Sequence, residues 1–171
     1  CAGGGGRGES AIRARMTSSM IPRAGIFDFG GVMAISPMSQ RLRLAESIGV
    51  PFETVYPAIF GGSGDGQDEP WFEAEEGRLD IGEEYAQRVS DRIERMGGRF
   101  DLAEFLDWLD GLFDAPEAET VRLVEDLRSR GVRTVLLTNS VRQLRPVLER
   151  TVDMSRLFDA VVDSCEVGLR K

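Results

Sequence analysis

Three short apolar runs, each closed by a polar cluster, limit what this chain can fold into. The first is Ala24 to Phe27, closed by Asp28 and the chain-breaking pair Gly30 and Gly31. The second is Val132 to Leu137, apolar and β-branched, closed by Thr138 and Asn139. The third is Phe158 to Val162, followed by SCEVGLRK at 164–171. Short apolar runs bounded by turn residues read as buried strands. Pro116 opens a helical pattern that runs to Arg130, with Val121, Val124 and Leu127 on one face, and Gly131 stops it. Val141 to Glu149 forms a further helical pattern. Strand, helix, strand, helix, strand predicts a parallel α/β sheet.

The stretch between the first two runs is different. Its apolar spacing predicts helices over 38–48, 51–60, 71–76, 81–96 and 101–109, with no alternation of the strand type. Asp101 stands at an N-cap, with Glu104 at the capping-box spacing. Residues 38–113 therefore read as a helical cap inserted into a core made of 23–37 and 114–171. Residues 1–22, rich in Gly, Arg and Ser, read as a disordered tail, with Met16 and Met20 as candidate starts. GGSGDGQ at 61–67 reads as a loop. It is not a phosphate-binding P-loop, because Gln67 follows Gly66 where a lysine is required. The expected fold class is α/β: a Rossmann-like parallel sheet in three α/β/α layers, with an inserted helical cap, incomplete at its C-terminal end.

Composition removes several classes of function. The formal net charge of −8 argues against nucleic-acid partners. No apolar run approaches the ~18 residues of a membrane span, and the segment before Gly25 has no apolar core of the signal-peptide kind. Histidine is absent, which excludes Ser-His-Asp and Cys-His catalysis and His-ligated zinc. The two cysteines, Cys1 and Cys165, predict no structural disulfide, and a reducing, cytoplasmic setting is expected. Of the 21 basic residues only Lys171 is a lysine. Arginine replaces lysine easily on a surface but not where a point charge is needed, which marks Lys171 for attention.

In open α/β sheets ligands bind beyond the carboxyl ends of the strands, where the three polar clusters stand. A carboxylate there can attack a phosphoryl group and split one hard displacement into two. The attacked anion needs N–H donors, a hydroxyl and a cation. Gly30 and Gly31 permit close backbone approach, Thr138 and Asn139 supply polar groups, and Lys171 supplies charge.

Asp28 after one strand, Thr138-Asn139 after another, and the closing Gly168-Leu169-Arg170-Lys171 resemble motifs one, two and three of the haloacid dehalogenase (HAD) superfamily. DFGGV at 28–32 is similar to a branch holding the phosphatase domain of soluble epoxide hydrolases and the glucose-1-phosphate phosphatases. The helical insert resembles that superfamily's C1 cap. The resemblance covers residues 24–171. It implies Mg²⁺-dependent hydrolysis of a small phosphorylated metabolite through an aspartyl-phosphate. Asp28 would be the nucleophile and Lys171 its charge partner, with Gly30, Gly31, Thr138 and Asn139 around the phosphate. The metal would be held by Asp28 and the backbone carbonyl of Gly30.

The chain departs from the pattern twice. Related phosphatases carry a second Asp, the general acid and base, two residues after the nucleophile, and Gly30 stands there. The resemblance also implies a continuation past Lys171 bearing an acidic metal-binding pair, so the 171 residues alone are expected to be an inactive fragment. Two rival readings are a metal-independent haloacid dehalogenase and a non-catalytic, degenerate ligand- or protein-binding relative. Trp71, Phe72 and Trp108 are expected to pack cap on core, with lining of a substrate pocket as the alternative; Glu73, Glu75 and Glu76 are expected to form a solvated face, and Cys165 to be a small buried spacer rather than a reactive thiol.

Overall fold

A computed structural model of the chain describes residues 22–61 and 69–171. Apart from Pro22 and Gly61, the expected tail at 1–22 and the loop at 61–67 lie outside the described residues. Strand β1 (Ala24–Phe27) is followed by α1 (Met38–Ile48), α2 (Phe52–Phe60), α3 (Pro70–Glu75), α4 (Glu83–Arg95), α5 (Leu102–Asp110) and α6 (Ala118–Ser129). Then come β2 (Arg133–Thr138), a 3₁₀ turn (Arg142–Leu144), α7 (Arg145–Thr151), α8 (Met154–Leu157), β3 (Ala160–Asp163) and α9 (Ser164–Val167). The short α8 and α9 have no counterpart in the periodicity, because four residues cannot display a helical repeat.

The sheet is parallel with strand order β1-β2-β3. Phe27 pairs with Leu136, and Thr138 with Asp163, so the strands end close together at one edge. Within β2, Thr134, Leu136 and Thr138 are buried while Val135 and Leu137 are only half-buried. The buried face lies under α6, where Leu127 approaches Gly25, and α6 packs on α8. The opposite face is open: Ile26 is 68% exposed, and Val162 is half-buried beside Val135 and Leu137. The fold class is the expected one, a Rossmann-like parallel sheet with flanking helices.

Among the described residues of 38–113 every regular element is a helix. The core of this segment is aromatic: Phe105 stacks on Tyr85 at 5.9 Å and on Trp108 at 5.6 Å, with interplanar angles of 13° and 15°. Offset stacking of this kind adds to the burial of large apolar area. The Tyr85 hydroxyl donates to the Ile59 carbonyl at 3.4 Å, and burial pushes its phenol far above the ordinary range. Asp101 caps α5, accepting from the N–H groups of Ala103 and Glu104 at 3.0 and 3.1 Å. The capping box is not closed, because the Glu104 carboxylate accepts from Arg99. No helix among the described residues is long and apolar enough to cross a membrane.

Leu136 lies at the centre of the sheet's buried face and is fully buried. Leu136→Ala is expected to lower stability by about 2–5 kcal/mol, through lost burial and the cavity left behind. A urea titration followed by circular dichroism reads this directly, and a loss below about 1 kcal/mol would show that the site collapses without cost.

Candidate functional site

Asp28 follows directly on β1, and the turn after it is built to hold it. The carbonyl of Phe29 accepts from Met33 and Ala34 at 2.8 and 3.1 Å, and the N–H of Gly31 donates to Ala34 at 2.8 Å. Phe29, Met33 and Ala34 are buried, with Phe29 edge-on to Phe113 at 5.3 Å. Three core anchors thus leave Gly30 and Gly31 on the surface. Gly31 has φ of +79°, a conformation that favours glycine. Gly30 has no positive φ, and a Cβ there would meet only the Phe113 ring, at 3.9 Å.

The Lys171 ammonium lies 2.6 Å from Asp28 Oδ1 and donates to the Leu137 carbonyl at 2.8 Å. Oδ1 also accepts from the Phe29 N–H at 2.7 Å. Among the described residues no group bonds Oδ2, which leaves that oxygen able to attack. Asn139 does not face an empty cradle. Its Oδ1 accepts from the Lys171 N–H at 3.0 Å, and its Nδ2 donates to the Lys171 carbonyl at 3.5 Å. Its visible role is to hold the backbone of residue 171. Thr138 is buried, and its hydroxyl makes a long 3.5 Å bond to the Asn139 carbonyl. The geometry therefore brings together Asp28, Lys171 and Asn139. Gly30, Thr138 and Asn139 share the wall of one cleft of about 470 Å³, and Gly31 is not part of that wall.

Sequence reasoning missed the group that ties this site to the cap. Arg170 lines the same cleft, its guanidinium 3.7 Å above the Phe72 ring and its Nε paired with Glu75 Oε2. Glu75 Oε1 accepts from Trp71 Nε1 at 3.0 Å. Glu75 is buried rather than part of a solvated face, because Trp71 and Arg170 satisfy both its oxygens. The i,i+4 spacing of Trp71 and Glu75 is the one sequence signal that could have found it. Glu73, by contrast, pairs with Arg88. Ser140 was also missed. Its N–H donates to Ser164 Oγ at 3.0 Å, pinning the end of β2 to the start of α9.

Cys165 and Asp163 lie beside the site without entering it. Asp163 caps α9, accepting from the Cys165 N–H at 3.4 Å, and burial pushes its carboxyl up. Burial, reinforced by Asp163, pushes the Cys165 thiol up to about 11. A thiol so raised is an inert spacer, not a nucleophile. Among the described residues no group of three His, Cys, Asp or Glu side chains could hold a metal ion.

No protein-family model matches the chain, and no curated protein matches it. Solved structures do. A predicted HAD-like family hydrolase from Porphyromonas gingivalis shares 23% identity over 88% of this chain and 70% of its own, with a TM-score of 0.60. A HAD family enzyme from Bacteroides thetaiotaomicron, crystallised with magnesium and inorganic phosphate, shares 16% over 88% and 72%, with a TM-score of 0.55. An L-2-haloacid dehalogenase shares 20% over 88% and 67%, with a TM-score of 0.58. The chain has a HAD-like fold. At these identities the likeness shows the fold and not the reaction, and the neighbours include both a magnesium-bound enzyme and a dehalogenase.

The two glycines after Asp28 make opposite demands. Gly31→Ala is expected to cost about 1–2 kcal/mol from its left-handed backbone, and Gly30→Ala to stay within about 0.5 kcal/mol. Paired thermal melts check this. Equal losses would place the backbone constraint elsewhere.

Proposed function

We propose that this chain carries the nucleophile and part of the phosphate cradle of a phosphate-ester hydrolase that works through an aspartyl-phosphate on Asp28. The observation that carries this reading is the Lys171 ammonium, shared between Asp28 Oδ1 and the Leu137 carbonyl at the carboxyl edge of the sheet. A cation fixed there by two oxygens can balance an incoming phosphate while Oδ2 stays available. The adjoining cleft, which Gly30, Thr138 and Asn139 line but Asp28 and Lys171 do not, holds the Arg170–Glu75 ion pair and the further guanidinium of Arg41. Its wall is thus net positive in a chain of net charge −8, which favours an anionic substrate.

In the proposed reaction Asp28 Oδ2 attacks phosphorus and the ester P–O bond breaks. The leaving oxygen takes a proton from water, because position 30 offers none. Water then attacks phosphorus, releasing inorganic phosphate and restoring the carboxylate. Mg²⁺ would be held by the carboxylate of Asp28 and the carbonyl of Gly30 as two of its ligands, since that ion binds few protein oxygens and keeps waters and phosphate oxygens. When bound, it would offset charge on the phosphate.

The test is covalent trapping. The intact parent protein is exposed to acetyl phosphate with Mg²⁺, quenched in acid and digested. The Asp28 peptide is expected to gain one phosphoryl group, and Asp28→Asn to leave less than about a tenth of that label, a difference of about 1.4 kcal/mol. No label, or label elsewhere, overturns the reading. Halide release from 2-chloropropionate without Mg²⁺ favours the dehalogenase alternative instead.

Gly30 sharpens the reading. General acid catalysis is commonly worth about 10²–10⁴ in rate, so without an acid the phosphoryl-transfer rate should fall steeply as the leaving group becomes less acidic. Aryl phosphates should react fastest, sugar 1-phosphates next and primary alkyl phosphates slowest. The backbone at Gly30 accepts a side chain, so Gly30→Asp is expected to fold and to flatten that dependence. Equal rates for aryl and alkyl esters in the unmodified protein, with chemistry rate-limiting, would reveal another acid.

A further inference from the structure

The wall of the cleft differs from what a sugar phosphate needs. Phe52, Tyr56 and Phe60 form a ladder along one side of α2, with ring centroids 5.5 and 5.1 Å apart. Phe60 meets Trp71 of α3 edge-on at 4.8 Å, which carries the aromatic surface across two cap helices. On the core side Phe113, after α5, lines the same cleft beside Gly30. Rings used only to pack cap on core would be closed off. Instead Phe52, Phe60, Phe72 and Phe113 are half-buried, and Tyr56 is 50% exposed.

Most polar groups on the core side of the wall are already engaged, which leaves Arg41 and the Ser36 and Tyr56 hydroxyls as its open polar groups. Glu75 is held by Trp71 and Arg170, both ends of the Asn139 amide are taken by the backbone of Lys171, and the Ser140 hydroxyl donates to the Val141 carbonyl at 3.2 Å. A polyhydroxylated substrate would surrender its water to a surface with few free partners, and each hydroxyl left unpaired weakens binding. An apolar body loses nothing there and gains the burial of aromatic area.

We infer that the phosphate-bearing ligand of this cleft has an apolar, ring-sized body, and that the ladder Phe52-Tyr56-Phe60 selects it against sugar phosphates. The inference rests on the proposal that the Asp28 site handles phosphate esters. The cleft volume, about 470 Å³, is of the size that holds a small organic molecule. Arg41, over the Phe52 ring, keeps positive charge at the same wall, so the ligand is amphiphilic: an anion at one end and hydrocarbon at the other.

The experiment separates binding from turnover by using phosphonates, whose P–C bond is not hydrolysed. Isothermal titration of the 171-residue protein compares 2-naphthylmethylphosphonate with the methylenephosphonate isostere of glucose 6-phosphate. The naphthyl compound is expected to bind about tenfold tighter or better. Tyr56→Ala should reduce that advantage at least about threefold, with Tyr56→Phe preserving it. Tyr56 is half exposed, so the alanine variant is expected to fold, and a circular dichroism melt checks that it does. Phe72→Leu supplies a second variant in the same wall. Equal or tighter binding of the sugar phosphonate, no binding of either compound, or indifference to both Tyr56→Ala and Phe72→Leu would overturn the inference. Selective naphthyl binding without phosphoryl labelling of Asp28 would uphold the ligand class while the hydrolase reading fails.

Discussion

One ammonium group, that of Lys171, sits between the carboxylate of Asp28 and the carbonyl of Leu137, and the placing of much of the chain serves that contact. The parallel register pairs Phe27 with Leu136, so the next residue on each strand, Asp28 and Leu137, stand side by side. A slip of one residue would put the carboxylate on the other face of the sheet. The contact itself adds little stability, because both side chains are about a third or more exposed and such pairs are worth at most about 1 kcal/mol. Its importance lies in geometry. The apolar ladder supplies the energy, and the ion pair uses the positions that the ladder defines.

The lysine is held from two sides. Asn139, one residue past β2, clasps its backbone, while Arg170 beside it is gripped by Glu75 and Phe72 of the cap. Helix α3 and the sheet therefore meet at the residue next to the charge that faces Asp28. Glu75 and Arg170 are not well placed to stabilise the fold through attraction alone, since burying a charged pair consumes most of what the attraction returns. What the pair does is fix a rotamer. The Trp71 N–H occupies one oxygen of Glu75, the Arg170 Nε occupies the other, and the Phe72 face supports the guanidinium plane. Removing Glu75 would free the guanidinium and loosen the loop that carries Lys171.

These relations explain what could be read from the residues and what could not. The strands at Ala24–Phe27 and Arg133–Thr138, the helix at Met38–Ile48 and the cap of α5 by Asp101 were legible, because periodicity, breakers and capping residues act locally. The meeting of Asp28 with Lys171 was legible from topology, since parallel strands deliver their ends to one edge. The burial of Glu75 was not, because its partner Arg170 lies 95 residues away and the i,i+4 spacing to Trp71 was its only local trace. Asn139 was expected at phosphate, yet its amide is satisfied by the backbone of Lys171, a contact between one loop and another that spacing does not encode. The aromatic wall was misjudged for a related reason. Trp71 and Trp108 are buried and Phe72 half-buried, all three line the cleft, and the other accessible rings belong to α2 and to the loop after α5, which only the packed fold shows.

On the proposed reading, the missing acid and the aromatic wall act in the same direction. Position 30 offers no acid, and the side chains nearest it are the rings of Phe29 and Phe113. The Lys171 ammonium beside Asp28 is fixed by two oxygens, which favours charge neutralisation over proton transfer as the source of rate. The aromatic surround penalises a leaving oxygen that must accumulate charge unless the attached group can delocalise it. A site of this composition therefore depends on the chemistry of its substrate to complete what its own residues omit. The exposed, ordinary backbone of Gly30 shows that this omission is not imposed by the turn, because a side chain would fit there.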